Sequence, residues 1–431
     1  MSNSLLSFKV LKKGFVKNIL TLFTSNSIAQ FVSLAFYPLY TRLYAPDVFG
    51  VFGVYLSIVS IVTVVLNGRL DVALPLCKNN YELSHLLKIS VLLGVSISVV
   101  FFVVSLLVRA IFFDRMSELY IWLPFIALNL LANSFFSPLY YLAVYKSKYK
   151  NISVYNVSLS IVNMSLRILF GYYLINVNGL ILSHLVSTFL CVVILAFLLR
   201  KYNIEILKES FRFSYIKPLL SKFKDFPLFN SFHALSNTFA SNVPYLVLSS
   251  FFSKEIAGYY TISSGILFKP VNLVANSLNT VLYQKHAANI KNKIESRRLI
   301  QRVRNLLGLF ALPCFLVLLL LTPDIYTSVF GSEWGSVSMV VRIITPWVFM
   351  VLLTSSLSFI PNTTNNLKYA LRNDLIYSAF KIMALFIGVL LNNWILSIVF
   401  YSFVGTSFLI YYQIWYNGLI IKSDRNILKN K

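Results

Sequence analysis

Four basic residues stand where hydrocarbon is expected. Arg167, Lys269, Arg342 and Lys381 each fall inside a run of about 20 mainly apolar residues, the length that crosses a bilayer. An ionised side chain in such a run costs roughly 2.5–3.5 kcal/mol on insertion scales, so it faces a bundle interior or a watery cavity unless it snorkels to the interface. Lys269 lies midway along its run and Arg167 in the far half of its own. Arg342 and Lys381 sit where snorkelling competes more strongly. Arg42, at the end of the first run, and Arg69, at the end of the second, are placed to line the same lumen. The nearest carboxylates, Asp47 and Asp71, are at helix ends, and this reading puts no Asp or Glu inside a run. Asp71 is expected to pair with Arg69 and Asp47 to cap the second helix, which leaves both as weak candidates for binding a coupling ion. A lumen with this balance favours an anion, and the arginine fork suits phosphate because it binds two oxygens at once.

Catalysis finds little support. His85, His184, His233 and His286 are scattered, no acidic pair faces a serine or cysteine, and no glycine-rich phosphate loop follows a strand. Cys77, Cys191 and Cys314 lack metal or redox spacing and read as packed thiols. No enzyme, metal centre or resident cofactor is expected.

The elements that hold these residues are membrane spans. Of 431 residues, 58% are apolar and 12% charged, against about 25% charged in soluble proteins. Twelve helical spans are read near residues 18–41, 47–68, 86–108, 119–144, 152–175, 179–199, 227–252, 256–284, 300–321, 336–360, 371–391 and 394–417. Of the 38 Lys and Arg, 30 fall in alternate segments, 4 in the intervening loops and 4 within spans. Basic loops stay cytoplasmic, so both termini are expected inside a bacterial inner membrane. The same partition removes nucleic acid as the reason for the net charge of +24. Lys9, Lys12, Lys13 and Lys17 precede an apolar stretch longer than a signal peptide's core, so the first span is expected to be retained.

The basic stretch Arg200–Lys224 divides the chain. The reading is a cytoplasmic segment 1–17, an N-terminal six-helix lobe 18–199, a basic linker 200–226, a C-terminal six-helix lobe 227–417 and a cytoplasmic tail 418–431. The halves echo one another: Asn26-Ser27, Pro38 and Phe49-Gly50-Val51-Phe52 answer to Asn230-Ser231, Pro244 and Ala257-Gly258-Tyr259-Tyr260. Helices 1 and 7 enter from the same side, which makes the repeat parallel, the two-lobe layout of an alternating-access transporter. Pro38, Pro138, Pro244, Pro270, Pro313 and Pro346 fall within spans, where kinks are expected.

Several blocks resemble the Wzx-type O-antigen and polysaccharide flippases. They are Leu43-Tyr44-Ala45-Pro46-Asp47-Val48-Phe49-Gly50-Val51-Phe52, and Asn67-Gly68-Arg69-Leu70-Asp71-Val72-Ala73-Leu74-Pro75. Phe226-Pro227, Asn237, Pro244, Gly258-Tyr259-Tyr260, Pro270 and Val281-Leu282-Tyr283-Gln284 follow, then Phe330-Gly331-Ser332-Glu333-Trp334 and Thr345-Pro346-Trp347. Leu70 stands where that family often has an aromatic. The resemblance implies a member of the multidrug/oligosaccharidyl-lipid/polysaccharide (MOP) exporter superfamily, all-α, with two six-helix lobes about a central cavity. It implies transfer of an undecaprenyl-diphosphate-linked oligosaccharide across the inner membrane, for lipopolysaccharide or similar surface polysaccharide. Proton or sodium coupling is of the kind proposed for that family, and a polysaccharide polymerase and a chain-length regulator would be its partners. By helix depth, Lys269 and Arg167 are the first cavity cations, followed by Arg42, Arg69 and Arg342. A drug or cation antiporter and a peptidoglycan-precursor flippase of the same superfamily remain alternatives, the former disfavoured by the missing buried acid. A membrane polysaccharide polymerase is a further alternative, disfavoured by the short outer loops.

Overall fold

Because the bilayer core offers no water to backbone N–H and C=O groups, an apolar chain of this kind closes its hydrogen bonds within helices. The computed structural model describes residues 21–111, 118–173, 177–288, 293–364 and 366–428, and among these there is no strand. Helix α1 covers 21–35 and α2 Tyr37–Thr41, separated by a turn at Phe36 just ahead of Pro38. There follow α3 (Pro46–Leu66), α4 (Leu70–Ala73), α5 (Asn80–Ile111), α6 (Glu118–Tyr145), α7 (Tyr149–Tyr173) and α8 (Val177–Leu198). Short helices α9 (Arg200–Lys208) and α10 (Ile216–Lys222) fill the basic linker. After them come α11 (Ser231–Phe251), α12 (Lys254–Ala288), α13 (Lys293–Leu320), α14 (Pro323–Phe330), α15 (Val337–Ser355), α16 (Ile360–Thr363), α17 (Leu367–Leu390) and α18 (Trp394–Leu428).

Where the described residues cover them, the expected spans fall on helices, the first on α1 and α2 together; the expected segment 1–17 lies outside the described residues. Among the described residues, nine helices are long and apolar enough to cross a membrane. The expected spans outside that set are the first, which begins outside the described residues, and those on α11 and α12. These two helices have 21 and 35 residues, ample length. They fall short because serine, threonine, asparagine and lysine interrupt their apolar surface. Pro38 adjoins a helix break, whereas Pro138, Pro244, Pro270, Pro313 and Pro346 lie inside continuous helices. Helix α18 runs on into the expected tail as far as Leu428.

Two compact units form. One takes in the chain up to Tyr44 together with Val51–Asn242; the other takes in Ala45–Gly50 and the chain from Val243 onward. The division therefore falls within α11, beyond the 200–226 linker. In the first unit α5 packs along α6, α6 along α8, and α7 along α8. In the second, α15 packs on α12, α13 and α18, and α17 on α18.

The linker is a docked part of the first unit. Ile206, Leu219 and Phe223 are buried with Leu70, Leu74, Leu83 and Leu86 in one apolar cluster. Ser84 Oγ donates to the Ile206 carbonyl (2.9 Å) and Lys88 Nζ to that of Glu209 (2.7 Å). The Arg212 N–H donates to His85 Nε2 (3.0 Å), and Lys222 forms an ion pair with Glu82.

Within the second unit, the two segments aligned by the repeat meet reciprocally. A Cβ on Gly50 would lie 1.8 Å from the Lys254 carbonyl oxygen, and one on Gly258 would lie 1.8 Å from that of Pro46. Each glycine sits four residues into its helix and admits the first residue of the other.

Candidate functional site

Asn67-Gly68-Arg69-Leu70-Asp71, singled out in the sequence, builds a sharp turn between α3 and α4. Gly68 and Arg69 both take left-handed backbone (φ 59° and 56°), a conformation costly for a residue with a Cβ. Asn67 holds the turn, its Nδ2 donating to the carbonyls of Ser90 (2.9 Å) and Ser134 (3.0 Å). The expected Arg69–Asp71 pair does not form: among the described residues the ion pair within 4.0 Å is Lys222 with Glu82. Instead Arg69 Nε donates to Asn230 Oδ1 (2.8 Å), and Ser137 Oγ donates to Asp71 Oδ2. The left-handed residue turns the arginine away from its neighbour two positions on. Asp71 is buried, and its other oxygen has no hydrogen-bond partner. Asp47 is exposed and lies in the first turn of α3 rather than at the cap, because the helix already begins at Pro46. Its charge still faces the positive end of the helix dipole.

Arg167 is buried in the first unit, 8% exposed. Its guanidinium lies over Phe52 of α3 at 4.9 Å and Tyr40 of α2 at 5.4 Å. The Tyr44 hydroxyl donates to the Arg167 carbonyl (2.8 Å), and Gly171 and Gly179 leave room for that ring. His184 of α8 sits edge-on to Phe52 and Tyr55, with Asn129 within hydrogen-bond distance of its Nδ1 (3.1 Å). Arg167 Nε has no hydrogen-bond partner, and neither a carboxylate nor an ion pair neutralises the group among the described residues. This is a buried cation held by aromatic faces.

In the second unit Lys269 is half-buried on α12. Arg342 is exposed on α15, and its Nη2 donates to the Leu321 carbonyl (2.7 Å), closing the C-terminal end of α13. Arg42 is exposed just after α2. Of the five candidate cations, Arg42, Arg69 and Arg167 belong to one unit, Lys269 and Arg342 to the other.

Lys381, left off the sequence-derived set as a snorkelling side chain, is only 4% exposed. Its ammonium lies 4.2 Å from the Trp347 ring centre, 4.2 Å from that of Tyr401 and 5.0 Å from that of Tyr377. The expectation that no carboxylate lies inside a span also fails, because α17 starts at Leu367 and carries Asp374 two turns in. Tyr412 of α18 donates to Asp374 Oδ1 (2.7 Å), and Trp347 Nε1 donates to the Tyr377 hydroxyl (3.2 Å). The sequence did hold a signal: Asp374, Tyr377 and Lys381 recur at i, i+3 and i+7, one face of a helix.

The second-half motif is structural. Gly331 has a φ of 113°, and the turn it allows seats Trp334, 1% exposed, edge-on to Phe49 and Tyr259. No cluster of three or more potential metal ligands occurs among the described residues.

The described residues form an all-helical protein with nine helices long and apolar enough to cross a membrane. Residues 39–340 match the family described as "Polysaccharide biosynthesis protein", and the chain belongs to that family. No curated protein matches it. Among solved structures, the chain is similar to the lipid II flippase MurJ in an inward closed conformation, at 16% identity and a TM-score of 0.68, covering 96% of this chain and 91% of that one. It is also similar to an inward-facing multidrug resistance MATE family transporter of the MOP superfamily, at 12% identity and a TM-score of 0.66, covering 93% and 95%. A MOP superfamily transporter from Pyrococcus furiosus, described by the reverse polarity of its binding pocket, aligns at 12% identity and a TM-score of 0.62, covering 95% and 96%. The fold is that of the MOP exporters, and these neighbours are transporters and flippases rather than enzymes.

Proposed function

We propose that this chain is a flippase carrying an undecaprenyl-diphosphate-linked O-antigen unit, or a similar polysaccharide repeat unit, across the bacterial inner membrane by alternating access. The observation that carries the reading is the chemistry of α11 and α12. Both are long enough to span, both are too polar to face lipid along their length, and α12 holds Lys269 near its middle. Helices of that kind border water inside a bundle. In a polysaccharide-biosynthesis family with a flippase-like fold, a wet cationic path matches a diphosphate headgroup bearing sugars. The reading has twelve spans with both termini cytoplasmic, since the basic loops alternate. Lys269 and Arg167 are the leading diphosphate contacts, then Arg42, Arg69 and Arg342. Asp47 and Asp71 remain the weaker coupling-ion candidates for a proton or sodium gradient. A polysaccharide polymerase and a chain-length regulator would act on the delivered unit.

The test is deletion of the gene, with surface polysaccharide and the leaflet position of the lipid-linked unit as readouts, complemented by wild type and by Lys269→Ala. Lipid-linked units trapped in the inner leaflet support the reading. Normal polysaccharide in a strain without a second flippase sinks it, and outer-leaflet units left unjoined point to a polymerase instead.

A further inference from the structure

Lys381 is a charge without a fixed counter-ion. Among the described residues no hydrogen bond or ion pair reaches its Nζ, and three aromatic rings from three helices enclose it: Trp347 of α15, Tyr377 of α17 and Tyr401 of α18. The titratable groups around it are tyrosines. Tyr377 and Tyr401 face it directly, and Tyr245 of α11 and Tyr260 of α12 form an edge-on ring pair in the same unit. The charged residue on its own helix face, Asp374, is two turns away and accepts the Tyr412 hydroxyl. Burial works against the ammonium, the ring faces work for it, and no carboxylate beside it settles the matter.

That arrangement distinguishes lysine from arginine. An arginine in the same cage would stay charged through any cycle, whereas a buried lysine is able to shed its proton. We infer that Lys381 is the proton-exchanging group of the second unit, its ammonium releasing one proton to water along the Asp374–Tyr377 face and the neutral amine taking one back. The exchange adds or removes a unit charge inside the packing of α15, α17 and α18, so the protonation state biases how those helices sit together. This deepens the transporter reading and rests on it, by supplying the coupling step with a residue that differs from Asp47 and Asp71.

Trp347 reports on the exchange. A cation over its ring alters its emission, and Trp347 is one of five tryptophans, so the change rides on the emission of the other four. Purified full-length protein in lipid nanodiscs is titrated from about pH 6 to about pH 11, a range that brackets an ordinary lysine. The expected result is a reversible emission step in wild type that is lost in Lys381→Arg. Superimposable titrations of the two folded proteins would overturn the inference. Should the variant fold poorly, the unmutated chain is trace-labelled with acetic anhydride across the same range and Lys381 is read by peptide mass spectrometry. Only the neutral amine reacts: acetylation that rises with pH supports exchange, and none at any pH overturns it. In cells, Lys381→Arg at normal expression is expected to lose polysaccharide export, and full export by that variant also overturns the inference. The two readings fail separately, since normal polysaccharide after gene deletion removes the substrate while the emission and labelling results still decide the proton site.

Discussion

Replacing Gly258 with alanine tests the reciprocal helix contact most directly. The added Cβ would meet the Pro46 carbonyl oxygen at 1.8 Å, where ordinary contact begins at 3.4 Å, so the two helix starts must part by about 1.6 Å. No side chain is available to swing aside, because the obstacle is backbone. Overpacking of a tight site costs about 1–3 kcal/mol and occasionally more, and a backbone obstacle belongs at the upper end. At about 2–4 °C per kcal/mol for a body of 150–250 residues, the apparent Tm of the detergent-solubilised protein falls by about 6–12 °C for a cost near 3 kcal/mol. The assay is thermal unfolding followed by size-exclusion of a fluorescent fusion. Gly50→Ala, which would meet the Lys254 carbonyl at the same distance, serves as the matched case. Gly308→Ala and Gly418→Ala are the controls, with no atom within 4 Å of the added carbon. Alanine in those open helical positions is expected to be neutral or to stabilise by roughly 0.5–1 kcal/mol. If Gly258→Ala melts with the controls, the close approach does not exist and the reasoning fails.

Other outcomes follow from the same geometry. His85→Leu removes the acceptor for the Arg212 N–H and the bond to the Tyr81 carbonyl, so limited trypsin digestion is expected to cut faster at Lys208 and Arg212, with other sites unchanged. Burial pushes the Cys77 thiol up to about 12, leaving on the order of one thiolate in ten thousand at pH 8. A hydrophilic maleimide is therefore expected to leave Cys77 unmodified in the folded protein and to label it after denaturation, as mass spectrometry would read. Arg167→Ala removes two ring contacts worth about 2 kcal/mol when desolvated, together with the cation itself. It is expected to lower stability and abolish export, whereas Arg167→Lys recovers part of the stability; equal melting of wild type and Arg167→Ala would contradict the packing described.

Much of the candidate site was readable as residue types at depth, and less as neighbours. Arg167 was placed within a span by its position alone, and it is buried there. Arg69 and Asp71 were paired on proximity in sequence, yet the left-handed residue at Arg69 sends its side chain to Asn230 and leaves Asp71 to Ser137. Lys381 was read as snorkelling from its distance to the helix end. Rotation about the helix axis puts it instead among Trp347, Tyr377 and Tyr401.

The sequence by itself determined the class of protein. Insertion is decided segment by segment, from the apolar length of each run and the charges beside it, and those quantities need no neighbour. Only the tertiary structure decided what each buried cation faces. A membrane helix that is apolar on every side has no hydrophobic stripe to fix its rotation. Its facing is set by close packing against other helices, through contacts such as Gly50 on Lys254 and Gly258 on Pro46, and those partners lie 204 and 212 positions away along the chain.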